Sequence, residues 1–352
     1  MTSSPFAVYN DAVRSLFGPE PKLEMLFENN DYPFAHGAGV FVARDNVLFV
    51  TSNLYRARSH EVAAAAYSSN KAIQITKVKL PPATNGDSSH GGNSSAYGVQ
   101  CEEINPEGIA MANGGAHYGD DSVVFCAQGS KERVGGLVVM DTTPPYATRP
   151  LVSSFFGRPF NSPSDVAVAR DGAVWFTDPS YGFEQGIRTL PQLPNQVYRY
   201  DPAAHSLRAV ADGFGRPNGI CFSPDESVVY ITDTDGIHGD GSTDPSRAST
   251  IYAFDVATYH DQPFLVNRRL FAMADTGIPD GIKVDVHGNV YSGCGDGINI
   301  WSPSGVLLGK ILVAGGTANL CFGRNGELFL LNEHKLWRAT LAASTKGALL
   351  GI

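Results

Sequence analysis

The sequence predicts an all-β protein, a six-bladed β-propeller that forms one domain over residues 1–352. Three observations lead to this prediction. A unit made of a polar or small residue, an apolar strand, a turn and a second apolar strand recurs along the chain. The strands are too apolar to face water on either side, and the turns carry pairs such as Asp-Gly, His-Gly and Asn-Gly. The copies begin at His36, Asn113, Ser162, Pro217, Pro279 and Thr317.

Further short strands complete each unit. Segments such as QVYRYDPAAHSLRAVA (196–211) and TIYAFDV (250–256) lie between the copies and are separated by Pro, Gly and Asp. Four strands per unit, repeated around an axis, bury both faces of every sheet. We expect PKLEMLFE (21–28) to close the last blade beside HKLWRATL (334–341). PFAVYNDAVRSLF (5–17) has apolar residues at helical spacing, which predicts a short helix in an N-terminal extension over residues 1–20.

Composition and charge exclude several classes of partner. The net charge is −9, charged residues make up 17% of the chain, and the longest run of Lys or Arg is the pair Arg268-Arg269. Nucleic acid and anionic membrane surfaces are therefore not expected partners, and a small-molecule substrate is. No apolar stretch approaches 18 residues and the N-terminus lacks a signal-peptide pattern, which predicts a cytoplasmic protein. No pattern in the sequence indicates an oligomeric state.

The residue before the first strand of each blade is predicted to point into the mouth of the central channel. The first strand of a propeller blade lines that channel, so these positions face a shared wet cavity. This explains why polar side chains precede strands that are otherwise apolar. Aligned on their apolar anchors, the six copies place the following residues at equivalent positions: Gly37, Asn113, Ser164, Asn218, Asp280 and Ala318.

Three linked stretches carry a resemblance to a known family. SPSDVAVARDGAVWFTDPSYGF, GRPNGICFSPDESVVYITDTDG and GIPDGIKVDVHGNVYSGCGDGINIWSPSG occur at blade spacing. The chain resembles the gluconolactonase, senescence-marker-protein and luciferin-regenerating-enzyme family, and its fungal lactonohydrolase branch most of all. The resemblance implies a six-bladed propeller with one divalent ion, usually calcium, at the channel mouth. It implies as ligands a Glu before the first blade, an Asn in an SPND motif, an Asn before the fourth blade and an Asp before the fifth.

This chain departs from that ligand set at two positions. Asn218 and Asp280 match the family's Asn and Asp, whereas Gly37 falls at the Glu position and Ser164 at the SPND Asn. Calcium takes six to eight oxygen ligands, and its affinity depends on the number of carboxylates. We therefore expect no metal cofactor. If an ion is retained, Asn218 and Asp280 are its predicted ligands, and calcium is the alternative cofactor.

The departure from the family leads to the functional hypothesis. A deep cavity without a metal can still position an apolar polyunsaturated substrate, so we predict a metal-independent cyclase that promotes a pericyclic, hetero-Diels–Alder-type ring closure in fungal-type secondary metabolism. A calcium-dependent lactonase and a non-catalytic small-molecule-binding propeller remain the alternatives. The predicted catalytic residues are Asp280, Asn218, His36 and Ser164. The predicted substrate-binding residues are Asn113, Tyr118, Tyr181, Phe183 and Trp301.

Some of these residues also have simpler interpretations. Asn218 and Asp280 each precede a glycine and could serve only as turn formers. Tyr181 could pack against the neighbouring blade, and His117, which aligns with a strand interior, is predicted to be a core histidine. Arg216 could tie loops together rather than bind an acidic group.

Overall fold

The computed structural model describes residues 4–57, 66–68, 70–81 and 98–348. Within these residues the chain forms 30 strands and two short helices, α1 (Val13–Phe17) and α2 (Tyr181–Glu184). The strands in chain order are β1 (Phe6–Val8), β2 (Lys22–Glu28), β3 (Gly39–Val42), β4 (Val47–Thr51), β5 (Tyr55–Arg56), β6 (Ala66–Ser68), β7 (Lys71–Ala72), β8 (Ile75–Lys79), β9 (Gln100–Ile104), β10 (Ala112–His117), β11 (Ser122–Ala127), β12 (Gly136–Asp141), β13 (Thr148–Val152), β14 (Ser154–Phe155), β15 (Arg158–Pro159), β16 (Val166–Val168), β17 (Val174–Asp178), β18 (Gln196–Asp201), β19 (Ser206–Ala211), β20 (Pro217–Phe222), β21 (Val228–Asp233), β22 (Thr250–Tyr259), β23 (Gln262–Met273), β24 (Ile282–Val284), β25 (Val290–Cys294), β26 (Gly297–Trp301), β27 (Leu307–Leu312), β28 (Asn319–Phe322), β29 (Glu327–Asn332) and β30 (Lys335–Thr340).

Six antiparallel sheets form the blades of a propeller, as predicted. Blade one is β3-β4-β8-β9, and blades two, three and four are β10 to β13, β16 to β19 and β20 to β23. Blade five contains β24 to β27, and blade six contains β28 to β30. The first strand of each blade contacts the first strands of its two neighbours, so β3, β10, β16, β20, β24 and β28 surround the central channel. β5 to β7 and β14 to β15 form two small additional sheets.

Apolar residues fill the spaces between adjacent blades. Phe49 and Phe125 belong to one cluster between blades one and two, and Val124 and Phe176 belong to another between blades two and three. Both faces of these sheets are covered, which explains why the strands read as almost continuous apolar runs. The hairpin turns contain the small and polar residues that the sequence suggested. Asn46 at φ 52°, for example, takes the left-handed conformation that Asn tolerates better than most residues.

The N-terminal segment closes the ring. β2 pairs with β30, with Lys22 opposite Thr340, which confirms the predicted closure of blade six. The predicted helix over residues 5–17 is partly wrong. Its first part is β1, which pairs with β27 and adds a fifth strand to blade five, and only Val13–Phe17 is helical. The free edge of β27 offers backbone hydrogen bonds that an extended segment can satisfy.

No helix among the described residues is long and apolar enough to cross a lipid bilayer.

Candidate functional site

A polar cavity of about 250 Å³ opens where the inner strands begin. We call it the mouth cavity. It collects side chains that lie far apart in the sequence but precede or begin successive inner strands. Those that the sequence singled out are His36, Asn113, Ser164, Asn218 and Asp280, and Gly37 lines it as well. Tyr181, which the sequence also singled out, reaches the cavity from α2.

A chain of side-chain hydrogen bonds links four blades at this cavity. Asn113 Nδ2 donates to Ser164 Oγ at 3.2 Å, and Ser164 Oγ donates to Asn218 Oδ1 at 2.8 Å. Asn218 Nδ2 then donates to Asp280 Oδ1 at 2.7 Å. The equivalent positions predicted from the repeats therefore lie side by side, and each side chain orients the next.

Two β-bulges aim the asparagines at the cavity. The register of β10 shifts between Ala112 and Gly115, and that of β20 shifts between Pro217 and Ile220. The extra residue of a bulge turns a side chain away from its normal alternation. Asn113 and Asn218 consequently lie within their strands, not before them as the sequence suggested, and still line the mouth cavity.

His36 forms an ion pair at the cavity wall. Its Nδ1 lies 2.7 Å from Glu333 Oε1, and Asn53 Nδ2 donates to Glu333 Oε2 at 3.1 Å. Burial alone would lower the pKa of His36, but the charge of Glu333, its hydrogen bond and the charge of Asp280 together raise that pKa to about 9. His36 is therefore a cation at neutral pH. The pKa of Glu333 is lowered, because His36 outweighs the effect of burial on this carboxylate.

Burial, which by itself lowers the pKa of His36, raises the pKa of Asp280. Burial above all, together with the charges of Glu333 and Asp165, raises the pKa of its carboxyl group to about 6. His36 and the hydrogen bond from Asn218 act in the other direction. The mouth cavity thus holds a carboxylate whose pKa is close to neutral and a positively charged imidazole within range of its field. Such a pair is suited to proton transfer and to polarising a carbonyl group.

The donors at the mouth do not fit the calcium ion that the family resemblance implies. Among the residues that the structure describes, no group of three or more His, Cys, Asp and Glu could hold a metal ion. Asp280 is the one carboxylate at a predicted ligand position, and Asn218 already uses its amide to contact it. The nearby His36 is a cation and would repel a second one. Asp165 also lines the cavity, but its two oxygens already accept the backbone N–H groups of Val166 and Ile220. Asp280 alone, beside a positive charge, is too little for a tight calcium site.

Gly37 is closely surrounded where the family has a Glu. A Cβ atom at this position would lie 2.5 Å from Asn113 Oδ1 and 2.7 Å from Thr51 Oγ1. Thr51 is fully buried, and its hydroxyl accepts a hydrogen bond from Ala38 N and donates one to Asn113 O. Any movement of the threonine would disturb these two hydrogen bonds, and a side chain at residue 37 requires the surrounding residues to move.

We expect Gly37→Ala to lower the free energy of unfolding by about 1–3 kcal/mol, the usual cost of overpacking a filled site. Urea unfolding followed by fluorescence measures this loss. Gly236→Ala is the matched control, because its nearest neighbour to an added Cβ lies at 3.3 Å. A loss for Gly37→Ala no larger than that of the control would contradict the tight packing described here.

Three of the aromatic residues predicted to bind substrate lie away from the mouth cavity. Trp301, 4% exposed, belongs to the apolar cluster between blades four and five. Tyr118 packs against the cluster between blades two and three, with the Arg149 guanidinium over its ring. Phe183 is 43% exposed on α2 and does not line the cavity. Of the predicted aromatic residues, Tyr181 lines it, and its hydroxyl bonds to Thr234 Oγ1 at 2.6 Å.

The sequence did not single out several other residues of the mouth. Asn319 lines the cavity one position after the aligned Ala318, and its amide donates to the carbonyl of Gly37, so it joins blade six to blade one. Glu333 follows β29 with φ 56°, which turns it back toward His36. The sequence shows that this repeat ends in an acidic residue, but it does not show that this residue pairs with His36 at the first blade. Arg216 bonds to Glu184 at 2.8 Å and ties loops together, as the simpler interpretation held.

Comparisons with known proteins agree with this architecture. The family model described as SMP-30/gluconolactonase/LRE-like region matches residues 105–332. Lactonohydrolase oryL of Aspergillus oryzae is 26% identical over 342 residues, which cover 92% of this chain and 70% of the relative. The gluconolactonase of Zymomonas mobilis is 31% identical over 238 residues, covering 64% of this chain and 62% of the relative. A solved gluconolactonase of Xanthomonas campestris superposes with a TM-score of 0.70 at 25% identity, covering 96% of this chain and 95% of that one.

Proposed function

The chain belongs to the SMP-30/gluconolactonase/LRE-like family, and we propose that it hydrolyses a lactone or related cyclic ester without a metal ion. The observation that carries this proposal is the pairing of Asp280, whose pKa is close to neutral, with the cationic His36 in one polar cavity. In this proposal Asp280 is the general base. His36 supplies the positive charge that a divalent ion supplies in the family.

The reaction follows from these two roles. The Asp280 carboxylate removes a proton from a water molecule, and the water oxygen attacks the carbonyl carbon of the lactone. Negative charge develops on the carbonyl oxygen, where the His36 imidazolium stabilises it. The bond between the carbonyl carbon and the ring oxygen then breaks, and the leaving alkoxide takes the proton from Asp280. The product is the open hydroxy acid, and both side chains return to their starting protonation states.

The size and lining of the cavity favour a small polar substrate. Its volume of about 250 Å³ is below the usual range of roughly 300–1,000 Å³ for sites that bind drug-sized ligands. Asn53, Asn113 and Gln128 add amide groups to the wall, and these can bind ring hydroxyl groups. A hydroxylated lactone suits this lining better than a large apolar molecule does.

We expect lactone hydrolysis to survive the removal of metal ions. The protein is dialysed against EDTA, its metal content is measured by mass spectrometry, and kcat/KM is determined for glucono-1,5-lactone and dihydrocoumarin. The expected result is a change of less than about twofold, because no step of the proposed reaction needs an ion. Loss of activity that added calcium restores would show that the reaction is metal-dependent and would contradict the role given to His36.

Ring closure by a metal-independent cyclase is the second candidate function. The observation that favours it is again His36, since a cationic hydrogen-bond donor in the same cavity as the Ser164 hydroxyl can polarise the carbonyl of a heterodiene without an ion. Ring closure does not consume water, so it does not require Asp280 as a base. Turnover of a quinone-methide-type substrate by Asp280→Asn, with no activity of the parent protein on lactones, would favour the cyclase. A ligand-induced spectral shift without any product would favour a binding protein.

A further inference from the structure

A second cavity lies at the opposite end of the central channel. We call it the distal cavity; its volume is about 410 Å³. It is lined by residues further along the same inner strands that begin at the mouth, so it occupies the other end of the channel. Its wall is mainly apolar and includes Phe41, Ala116, Val168, Ile220, Val284 and Phe322. This volume falls within the range of roughly 300–1,000 Å³ that is typical of small-molecule sites.

One ammonium group projects from the channel wall in this apolar setting. Lys283, the middle residue of β24, lines the distal cavity, and its side chain is 23% exposed. Its Nζ atom lies 3.9 Å from Asp165 Oδ2, which is too long for a hydrogen bond. No residue in the described part of the chain accepts a hydrogen bond from this group, although an ammonium carries three N–H donors.

Asp165 does not need Lys283 as a hydrogen-bond donor. Its Oδ1 accepts the backbone N–H of Val166 at 2.9 Å, and its Oδ2 accepts that of Ile220 at 3.3 Å. The carboxylate is therefore held by the backbone of two inner strands. The N–H donors of Lys283 remain available to a group that enters the distal cavity.

The other polar groups at the rim of the distal cavity have hydrogen-bond partners. The guanidinium of the exposed Arg170 donates to the carbonyl of Pro224, and the Arg170 backbone N–H donates to Glu226 Oε1 at 3.0 Å. On another side, Ala348 N donates to Val284 O at 2.9 Å and places residues 347–348 in the wall. His117, another lining residue, bonds to the carbonyl of Phe41 at 2.8 Å, which satisfies one ring nitrogen. Lys283 is thus the lining cation without a described hydrogen bond.

We propose that the distal cavity binds an amphipathic carboxylate, with its alkyl or aryl body among the apolar side chains and its carboxylate on Lys283. An apolar wall with one donor-rich cation is complementary to a molecule that has one acidic end. Charge-assisted hydrogen bonds from an ammonium to a carboxylate are about twice as strong as neutral ones. Lys283 does not line the mouth cavity, although its neighbour Asp165 does. The proposed site therefore shares no residue with the catalytic pair Asp280 and His36, and it is tested separately from the proposed lactone hydrolysis.

Octanoate and octan-1-ol are a matched pair of probes for this site. Binding to the full-length protein is measured by isothermal titration calorimetry. The expected result is that octanoate binds at least about tenfold more tightly than octan-1-ol. Lys283→Met, which keeps the length of the side chain but removes its charge, is expected to abolish that preference, and Lys283→Arg is expected to retain most of it. Ala116→Leu fills the apolar part of the cavity and is expected to weaken both probes.

Asp280→Asn at the mouth serves as the control and is expected to leave octanoate binding unchanged. Thermal unfolding of every variant shows that each is folded. The proposal is overturned if octanoate binds Lys283→Met as well as it binds the parent protein, or if Asp280→Asn alone abolishes binding. It is also overturned if a variant that ends at Ala348 binds octanoate more than tenfold better, because residues 349–352 would then be the natural occupant.

Discussion

Replacing Asp280 by Asn is expected to lower kcat/KM for lactone hydrolysis by about 10²–10⁴-fold, the usual contribution of a general base. The amide has the same shape as the carboxylate but cannot accept the proton of the attacking water. Its oxygen can still accept the hydrogen bond that Asn218 donates to Asp280 at 2.7 Å. We therefore expect the mouth cavity to keep its geometry, and KM to change much less than kcat.

The pH profile of the parent enzyme provides a second measurement of the same role. Burial raises the pKa of Asp280 to about 6, so the group is protonated below that pH and ionised above it. A base must be ionised, and activity should therefore rise as the pH increases through about 6. Asp255→Asn, on the solvent-exposed part of blade four, is the matched control and should leave both the rate and the profile unchanged. An unchanged kcat in Asp280→Asn would exclude this residue as the base.

Replacing His36 by Gln is expected to lower kcat by about 10²–10³-fold, the range seen when a donor to a developing oxyanion is removed. Glutamine can donate a hydrogen bond but carries no charge. The charge of His36 lowers the pKa of Asp280, so its removal should raise that pKa and move the acid limb of the profile to higher pH. Stopped-flow assays of glucono-1,5-lactone hydrolysis over a range of pH measure both the loss in kcat and the shift of the acid limb.

A double variant separates catalysis by His36 from simple neutralisation of its partner. Glu333 would be left half-buried without its cation in His36→Gln, and this alone could disturb the site. His36→Gln/Glu333→Gln removes both charges and restores neutrality. If His36 acts on the substrate, the double variant stays as slow as the single one. Recovery of activity in the double variant would mean that His36 only compensates Glu333.

The blades could be predicted from the sequence because their signal is local and repeated. Each hairpin contains two apolar strands and a polar turn within about 20 residues, and the repeated copies confirm one another. β1 could not be predicted in the same way. Phe6–Val8 is three residues long, and its pairing with Ile311 depends on a free edge that exists only in the folded blade. Short segments of this kind take their conformation from tertiary contacts.

The site could be predicted where it follows the repeat and not where it depends on distant pairings. Asn218 and Asp280 were found because successive blades place equivalent positions around one axis. Glu333 was missed, because it meets His36 only when the last blade lies beside the first. Trp301 was misplaced for a different reason. Aromatic side chains near strand ends are as useful for filling the spaces between blades as for contacting a ligand, and sequence alone does not distinguish the two.

The pairing of Lys22 with Thr340 has a consequence for how the protein is made. During translation, β2 leaves the ribosome among the first strands, and its partner β30 follows all the other described strands. Blade six therefore has no complete sheet, and the ring of blades stays open, until β30 has been synthesised. Until then the earlier blades form an incomplete ring, in which β2 lacks its partner strand. Strand edges that are unpaired during that interval make the incomplete ring prone to aggregation.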